Sequence, residues 1–234
     1  MKRFFCLTIV LLSAIGIFGQ EEGKTIEKSE FDAALRNRFL KFAGQSYRQT
    51  ISGAELPTET NKNKVSWKSV IEFTASPASR LLYEFDSPSI KTRTETIRID
   101  GKTYVRKDGG EWTLKSPESG KSNAAERKFI IAGEETEYKS LGAQVLDKLN
   151  TAVYAKIEKK RLNYEKDKIE IFSSVAIKYW LDEDGGIIKE ETVTENRIKS
   201  ERNPSGSVFR SLQTTIWEFD PNIKIEAPIV AKQF

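Results

Sequence analysis

Chemically reactive side chains are few in this sequence. Histidine is absent from its 234 residues, and the single cysteine is Cys6. A Ser-His-Asp or Cys-His catalytic unit therefore cannot form, and the usual zinc and iron ligand sets are missing. Nor does any glycine-rich segment have the pattern of a phosphate-binding loop, because Gly109-Gly110 and Gly185-Gly186 have the context of hairpin turns.

Carboxylates remain, and they cluster at 134–137 and 182–184. Such clusters can supply a calcium site or a glycosidase pair, but their spacing matches no calcium loop. Charged turns of this kind are ordinarily solvated surface. We therefore expect no enzymatic activity, no catalytic residue, no metal and no cofactor. A hydrolase that uses Asp182 and Glu183 is the weakest alternative.

The N-terminus has the three-part pattern of a secretory signal. Lys2 and Arg3 precede an apolar run from Phe4 to Phe18, and Gly19 lies at the expected cleavage position. The run is shorter than the about 20 residues that span a membrane comfortably. We expect residues 1–19 to be a cleaved signal peptide, 20–234 to form a single domain, and the product to be periplasmic or otherwise extracytoplasmic and soluble. Cys6 leaves with the signal, so the domain has no disulfide.

The charge pattern gives no reason to expect a nucleic-acid partner. The net charge is +4, and removal of Lys2 and Arg3 with the signal lowers it to +2, because residues 1–19 contain no acid. Basic and acidic residues alternate without a long block of one sign, which is typical of a solvated surface.

One amphipathic helix is predicted near the start of the domain, at about 29–42. Ser29 is a candidate cap and Gly44 a candidate stop. The residues at helical spacing that would form its buried stripe are Phe31, Ala34, Leu35, Arg38, Phe39 and Phe42.

After residue 46 the hydrophobic period changes to two, which predicts about eleven short strands. Asp100-Gly101 and Asp184-Gly185 separate alternating runs, and such pairs favour tight hairpins. The last predicted strand is 223–229, after the turn at Asp220-Pro221. We expect a mainly β fold, in which one antiparallel sheet is curved or closes into a barrel or half-barrel, with the N-terminal amphipathic helix on its concave face.

Aromatic residues at strand spacing leave two interpretations open. They are Trp67, Phe73, Tyr83, Phe85, Trp112, Trp180 and Trp217. Most such stripes are filled core. A curved sheet can also enclose an apolar cavity that takes an acyl chain, and the sequence alone does not separate the two.

Three segments together resemble the LolA-like superfamily of exported lipid and lipoprotein carriers. They are "IRIDGKTYVRKDGGEWTL" (97–114), "IKYWLDEDGGIIKEETV" (177–193) and "WEFDPNIKIEAP" (217–228). The superfamily includes periplasmic lipoprotein carriers, LppX- and LprG-type lipid-binding lipoproteins and the sensor domain of RseB. The resemblance covers about 29–229, implies a half-barrel of about eleven antiparallel strands with the helix on its concave face, and carries over no catalytic residue. This sequence departs from the family in having one clear lid helix and no lipid-attachment cysteine.

The resemblance implies a carrier or binding protein for the acyl chain of a lipid or lipoprotein, held in an apolar cavity between helix and sheet. The residues expected to line that cavity are Phe31, Leu35, Phe39, Trp67, Ile71, Phe73, Tyr83 and Phe85. Transient contact with a membrane surface is compatible with this role. The alternative is a non-catalytic envelope sensor or protein-interaction module with the same fold and a protein partner.

Overall fold

The computed structural model describes residues 23–62, 64–75, 78–115, 130–164 and 168–230. The predicted signal peptide, 1–19, lies outside these residues. Within them the chain forms one α-helix, α1 (Lys28–Leu35), one 3₁₀ helix (Leu40–Phe42) and twelve strands. The strands are β1 (Lys24–Thr25), β2 (Tyr47–Leu56), β3 (Ser66–Phe73), β4 (Ser79–Asp86), β5 (Lys91–Ile99), β6 (Lys102–Lys107), β7 (Thr113–Lys115), β8 (Ile130–Leu146), β9 (Leu149–Tyr164), β10 (Ile169–Leu181), β11 (Ile187–Ser200) and β12 (Asn203–Phe219).

All twelve strands belong to one antiparallel sheet in the order β1-β8-β9-β10-β11-β12-β2-β3-β4-β5-β6-β7. Two meanders, β2 to β7 and β8 to β12, are joined where β12 pairs with β2 from Arg210↔Leu56 to Phe219↔Tyr47. The sheet is curved and does not close. This confirms the mainly β half-barrel with an N-terminal helix.

Tight hairpins lie where the Asp-Gly pairs predicted them. Asp100 (φ 51°) and Gly101 (φ 71°) connect β5 to β6, and both have the positive φ that such a turn requires. Between β10 and β11, Gly185 has φ 77°. There the Asp182 Oδ1 accepts hydrogen bonds from the backbone N–H groups of Asp184 (3.1 Å) and Gly186 (2.7 Å). Asp182 therefore caps a turn.

The predicted helix 29–42 is wrong in extent, because α1 ends at Leu35 and a turn separates it from the 3₁₀ helix. Two hydrogen bonds hold this turn. The Arg38 guanidinium donates to the Leu35 carbonyl (2.9 Å), and the Ile187 N–H of β11 donates to the Arg38 carbonyl (2.9 Å). An ion pair between Lys41 and Asp182 adds a further link to the β10–β11 turn. Contacts with the sheet thus override the helical pattern.

The predicted last strand, 223–229, is also wrong, because residues 223–230 form no regular strand. β12 is already flanked by β11 and β2, so the chain that leaves it at Phe219 meets no free strand edge. The backbone N–H of Asn222 instead donates to the Asp220 side chain (3.0 Å), which turns the chain away.

Candidate functional site

The two faces of the sheet can be assigned from the strand register, because directly paired residues share a face and neighbours along a strand alternate. We call the face that carries Tyr154, Tyr179 and Thr215 the helix face. Thr215 pairs with Ile51 of β2, Ile51 with Ser69 of β3, and Ser69 with Tyr83 of β4, so these residues belong to the helix face as well. The other side is called the opposite face.

The helix is held on the helix face by aromatic packing. Phe31 of α1 is 4% exposed. Its ring centroid lies 4.9 Å from that of Tyr138, 5.9 Å from Tyr179 and 6.5 Å from Tyr154, on three adjacent strands. Leu35, 3% exposed, belongs to the same buried cluster, which also contains Ile26, Phe31, Phe42, Leu181 and Ile187. The helix therefore packs on β8, β9 and β10.

A line of stacked rings continues from the 3₁₀ helix towards β3. The Phe42 ring lies 4.9 Å from Tyr47, and Tyr47 stacks on Phe73 at 4.7 Å with an interplanar angle of 21°. Beside this line, Phe39 is 48% exposed and its ring lies 6.0 Å from that of Trp217. Rings thus follow the helix face from α1 to β3, and the outer ones remain accessible.

Two hollows adjoin this line of rings. The helix-end groove has a volume of about 420 Å³ and is lined by Phe39, Phe42, Ala43, Tyr47, Gln49 and Trp217. The sheet hollow, of about 170 Å³, is lined by Ile71, Phe73, Ser79, Leu81, Thr96 and Arg98. The Tyr47–Phe73 stack lies between them, so the two hollows follow one another across β12, β2, β3 and β4, with aromatic and aliphatic side chains interrupted by the polar Gln49, Thr96 and Arg98.

The eight residues predicted to line one cavity fall into separate groups. Phe31 and Leu35 are core residues under the helix, and Phe39 lies on the rim of the helix-end groove. Ile71 and Phe73 line the sheet hollow. The remaining three lie further along β3 and β4 on the helix face, where Trp67 pairs directly with Phe85, and Tyr83 with Ser69. The binding role of all eight stays a prediction.

The tyrosines that receive the helix, Tyr138, Tyr154 and Tyr179, were missed by sequence reasoning. Each lies in an alternating strand, which signals a half-buried position but not its partner. The N-terminal segment determines that Phe31 packs against them, because it positions α1 over these strands. β1 pairs with β8, and the Ile26 N–H donates to the Tyr138 carbonyl (3.0 Å). No local pattern predicts a contact across more than one hundred residues.

Two ionisable groups lie at the helix–sheet junction. Burial, together with the adjacent charge of Glu190, raises the pKa of Tyr179 to about 12, and the charge of Arg38 opposes this rise. Burial also raises the pKa of Glu190, which lies directly opposite Tyr179 and Thr215; a hydrogen bond from Thr192 and the charge of Arg38 oppose that rise. The junction therefore penalises the charged form of Glu190 relative to the unfolded chain.

We expect Glu190→Gln to stabilise the protein at neutral pH. The folded pKa of Glu190 lies above its unfolded value of 4.5, so folding takes up a proton between these values and stability falls as pH rises through the folded pKa. Urea unfolding midpoints should show an advantage of the variant that is absent near pH 4.5 and grows towards neutrality. Glu191→Gln, on the opposite face, should give no such gain, and an equal gain there would contradict the assignment.

Among the described residues, no group of three or more acidic, histidine or cysteine side chains is arranged to hold a metal ion. The predicted carboxylate clusters are engaged in ion pairs, Glu134 with Lys160 (3.1 Å) and Asp182 with Lys41. Within the same residues, no helix is long and apolar enough to cross a membrane.

Comparison with known proteins finds a likeness in structure but no match in sequence. No family profile matches the sequence, and no curated protein matches it. A crystal structure of a DUF1329 family protein from Desulfovibrio piger matches over 84% of this chain and 94% of that chain, at 13% identity and a TM-score of 0.25. A superposition this loose carries no argument about the ligand or role of this chain.

Proposed function

We propose that this chain is an exported, LolA-like carrier or binding protein, which holds the acyl chain of a lipid or lipoprotein against the helix face. The observation that supports it is the pair of neighbouring hollows, the helix-end groove and the sheet hollow, with the aromatic and aliphatic side chains that line them. We call these two hollows the acyl path. Ile71, Leu81 and Phe85 along that face are only half-buried, and the helix packs elsewhere. Each methylene group that moves from water onto this surface would contribute about 0.8 kcal/mol.

The four tryptophans allow a direct test, because they divide between the two faces. Trp67 and Trp217 lie on the helix face. Trp180 follows Tyr179 on β10 and therefore lies on the opposite face. Arg106 also lies on that face, and its guanidinium lies 4.7 Å from the centre of the Trp112 ring, so Trp112 belongs to the opposite face as well. An acyl chain labelled with bromine quenches only the tryptophans it touches.

We expect dibrominated stearate to quench the fluorescence of the purified protein in a saturable manner. The double variant Trp112→Phe/Trp180→Phe should keep this quenching, and the matched variant Trp67→Phe/Trp217→Phe should lose most of it. The reverse pattern, or no saturable quenching in the folded parent protein, would contradict acyl binding on the helix face.

A protein-interaction module is the second candidate, and exposed apolar residues at the rim of the helix-end groove favour it. Leu40 is 65% exposed and Phe219, which pairs directly with Tyr47, is 56% exposed. Large exposed apolar groups that adjoin a groove are common in protein contact surfaces. A protein that never takes up an acyl ligand would shift the assignment to this role.

A further inference from the structure

A basic cluster lies on the opposite face of the sheet, at the end remote from the helix. Arg161, Phe172 and Arg197 are directly opposite one another on β9, β10 and β11. Phe172 precedes Tyr179 by seven residues on an unbroken strand. It therefore lies on the other face and about 23 Å away along the strand. Lys159 and Lys199 occupy the adjoining rows. We call these four cations around Phe172 the basic cup.

The basic cup surrounds a hollow in the sheet surface, and the Phe172 ring is part of its lining. Its volume is about 680 Å³. The Arg161 guanidinium lies 5.4 Å and the Lys199 ammonium 5.3 Å from the centre of the Phe172 ring. These distances are within the range of cation–π contacts, so the ring holds the cations in place around the hollow.

The cations of the cup are only partly neutralised by neighbouring carboxylates. Arg161 pairs with Glu170, and the nearby Glu195 is engaged by Arg210. Glu134, Glu135 and Glu195 also line the hollow, and Glu135 lies directly opposite Lys159 as Glu170 does opposite Lys199. Among the described residues, however, the ion pairs within 4 Å include none of Lys159, Arg197 and Lys199. The four cations lie on β9 and β11, on either side of Phe172 of β10, and those without an ion pair would attract an external anion.

Two exposed isoleucines lie at the same end of the sheet. Ile130, at the start of β8, is 51% exposed and pairs with Asn163 on the face of the basic cup, whereas Ile131, 58% exposed, pairs with Leu162 and projects from the helix face. Cations next to exposed aliphatic side chains are the combination by which proteins bind the interface of an anionic bilayer. An arginine pair also matches the geometry of a phosphate group.

We propose that the basic cup docks this end of the protein on an anionic phospholipid surface, with a headgroup phosphate between Arg197 and Lys199 and Ile130 at the interface. This surface is separate from the acyl path, and its function does not depend on acyl binding.

Vesicle co-sedimentation of the purified protein tests the proposal. Vesicles of phosphatidylcholine mixed with phosphatidylglycerol should bind the protein far better than pure phosphatidylcholine, and added salt should weaken the binding. Arg197→Gln/Lys199→Gln should lower partitioning onto the anionic vesicles about 30-fold, because each basic residue near such a surface contributes about fivefold. Circular dichroism confirms that the variant is folded.

The matched control is Lys68→Gln/Lys102→Gln, which removes two exposed cations from the same face on other strands. It should change partitioning by no more than about twofold, the loss expected from net charge alone. Equal losses in both variants, no preference for anionic vesicles, or binding of inorganic phosphate without vesicle binding would each overturn the proposal. Quenching by dibrominated stearate should be unchanged in the cup variant, so the two proposals fail independently.

Discussion

Replacing Ile71 with aspartate is expected to reduce acyl binding at least tenfold. Ile71 lines the sheet hollow on the helix face, and an ionised carboxylate there would lose its hydration on contact with an acyl chain. The measurement is the dissociation constant for dibrominated stearate, obtained from tryptophan quenching. The variant should bind the ligand more weakly, while its circular dichroism spectrum should match that of the parent protein and show that the sheet is intact.

The neighbouring residue provides the control for this substitution. Val70 is half-buried like Ile71, but it projects from the opposite face, where it pairs directly with Leu82. Val70→Asp introduces the same charge on the same strand and should leave the dissociation constant within about twofold, because Val70 does not face the ligand. Similar losses in both variants would show that the helix face is not the binding surface.

Phe31→Ala is expected to lower the free energy of unfolding by about 3–5 kcal/mol. Phe31 is 4% exposed and packs against Tyr138, Tyr154 and Tyr179, so its removal leaves a cavity that three separate strands cannot easily fill. Urea unfolding, followed by circular dichroism, measures the change.

Phe39→Ala is the matched control for Phe31→Ala. Phe39 lies in the same predicted helical stripe, yet it is 48% exposed and contacts mainly Trp217. We expect a loss below about 1.5 kcal/mol, which is the scale of one aromatic pair. A larger loss for Phe39→Ala than for Phe31→Ala would contradict the position of the helix on β8, β9 and β10.

Local features of the fold were predictable from sequence because they are encoded within a few residues. The Asp100-Gly101 turn is an example, since both residues adopt the positive φ that the pair favours. Strand geometry alone also requires that neighbours such as Tyr179 and Trp180 project from different faces, because side chains alternate with a period of two.

Features that depend on distant contacts were not predictable. The helix ends at Leu35 because Ile187, far along the chain, hydrogen-bonds the Arg38 carbonyl. The segment 223–229 has the pattern of a strand, yet both sides of β12 are already paired. The candidate site shows the same limit. Helical spacing identified Phe31 and Leu35 as buried, but the strands that receive them follow from the pairing of β1 with β8.

Native mass spectrometry of the protein purified from the exported fraction, followed by lipid extraction, tests the central claim most directly. We predict a bound mass that extracts as acyl lipid and that falls in the Ile71→Asp variant but not in Val70→Asp. An apo mass that remains unchanged after incubation with phospholipid and with lipopeptide would contradict acyl carriage.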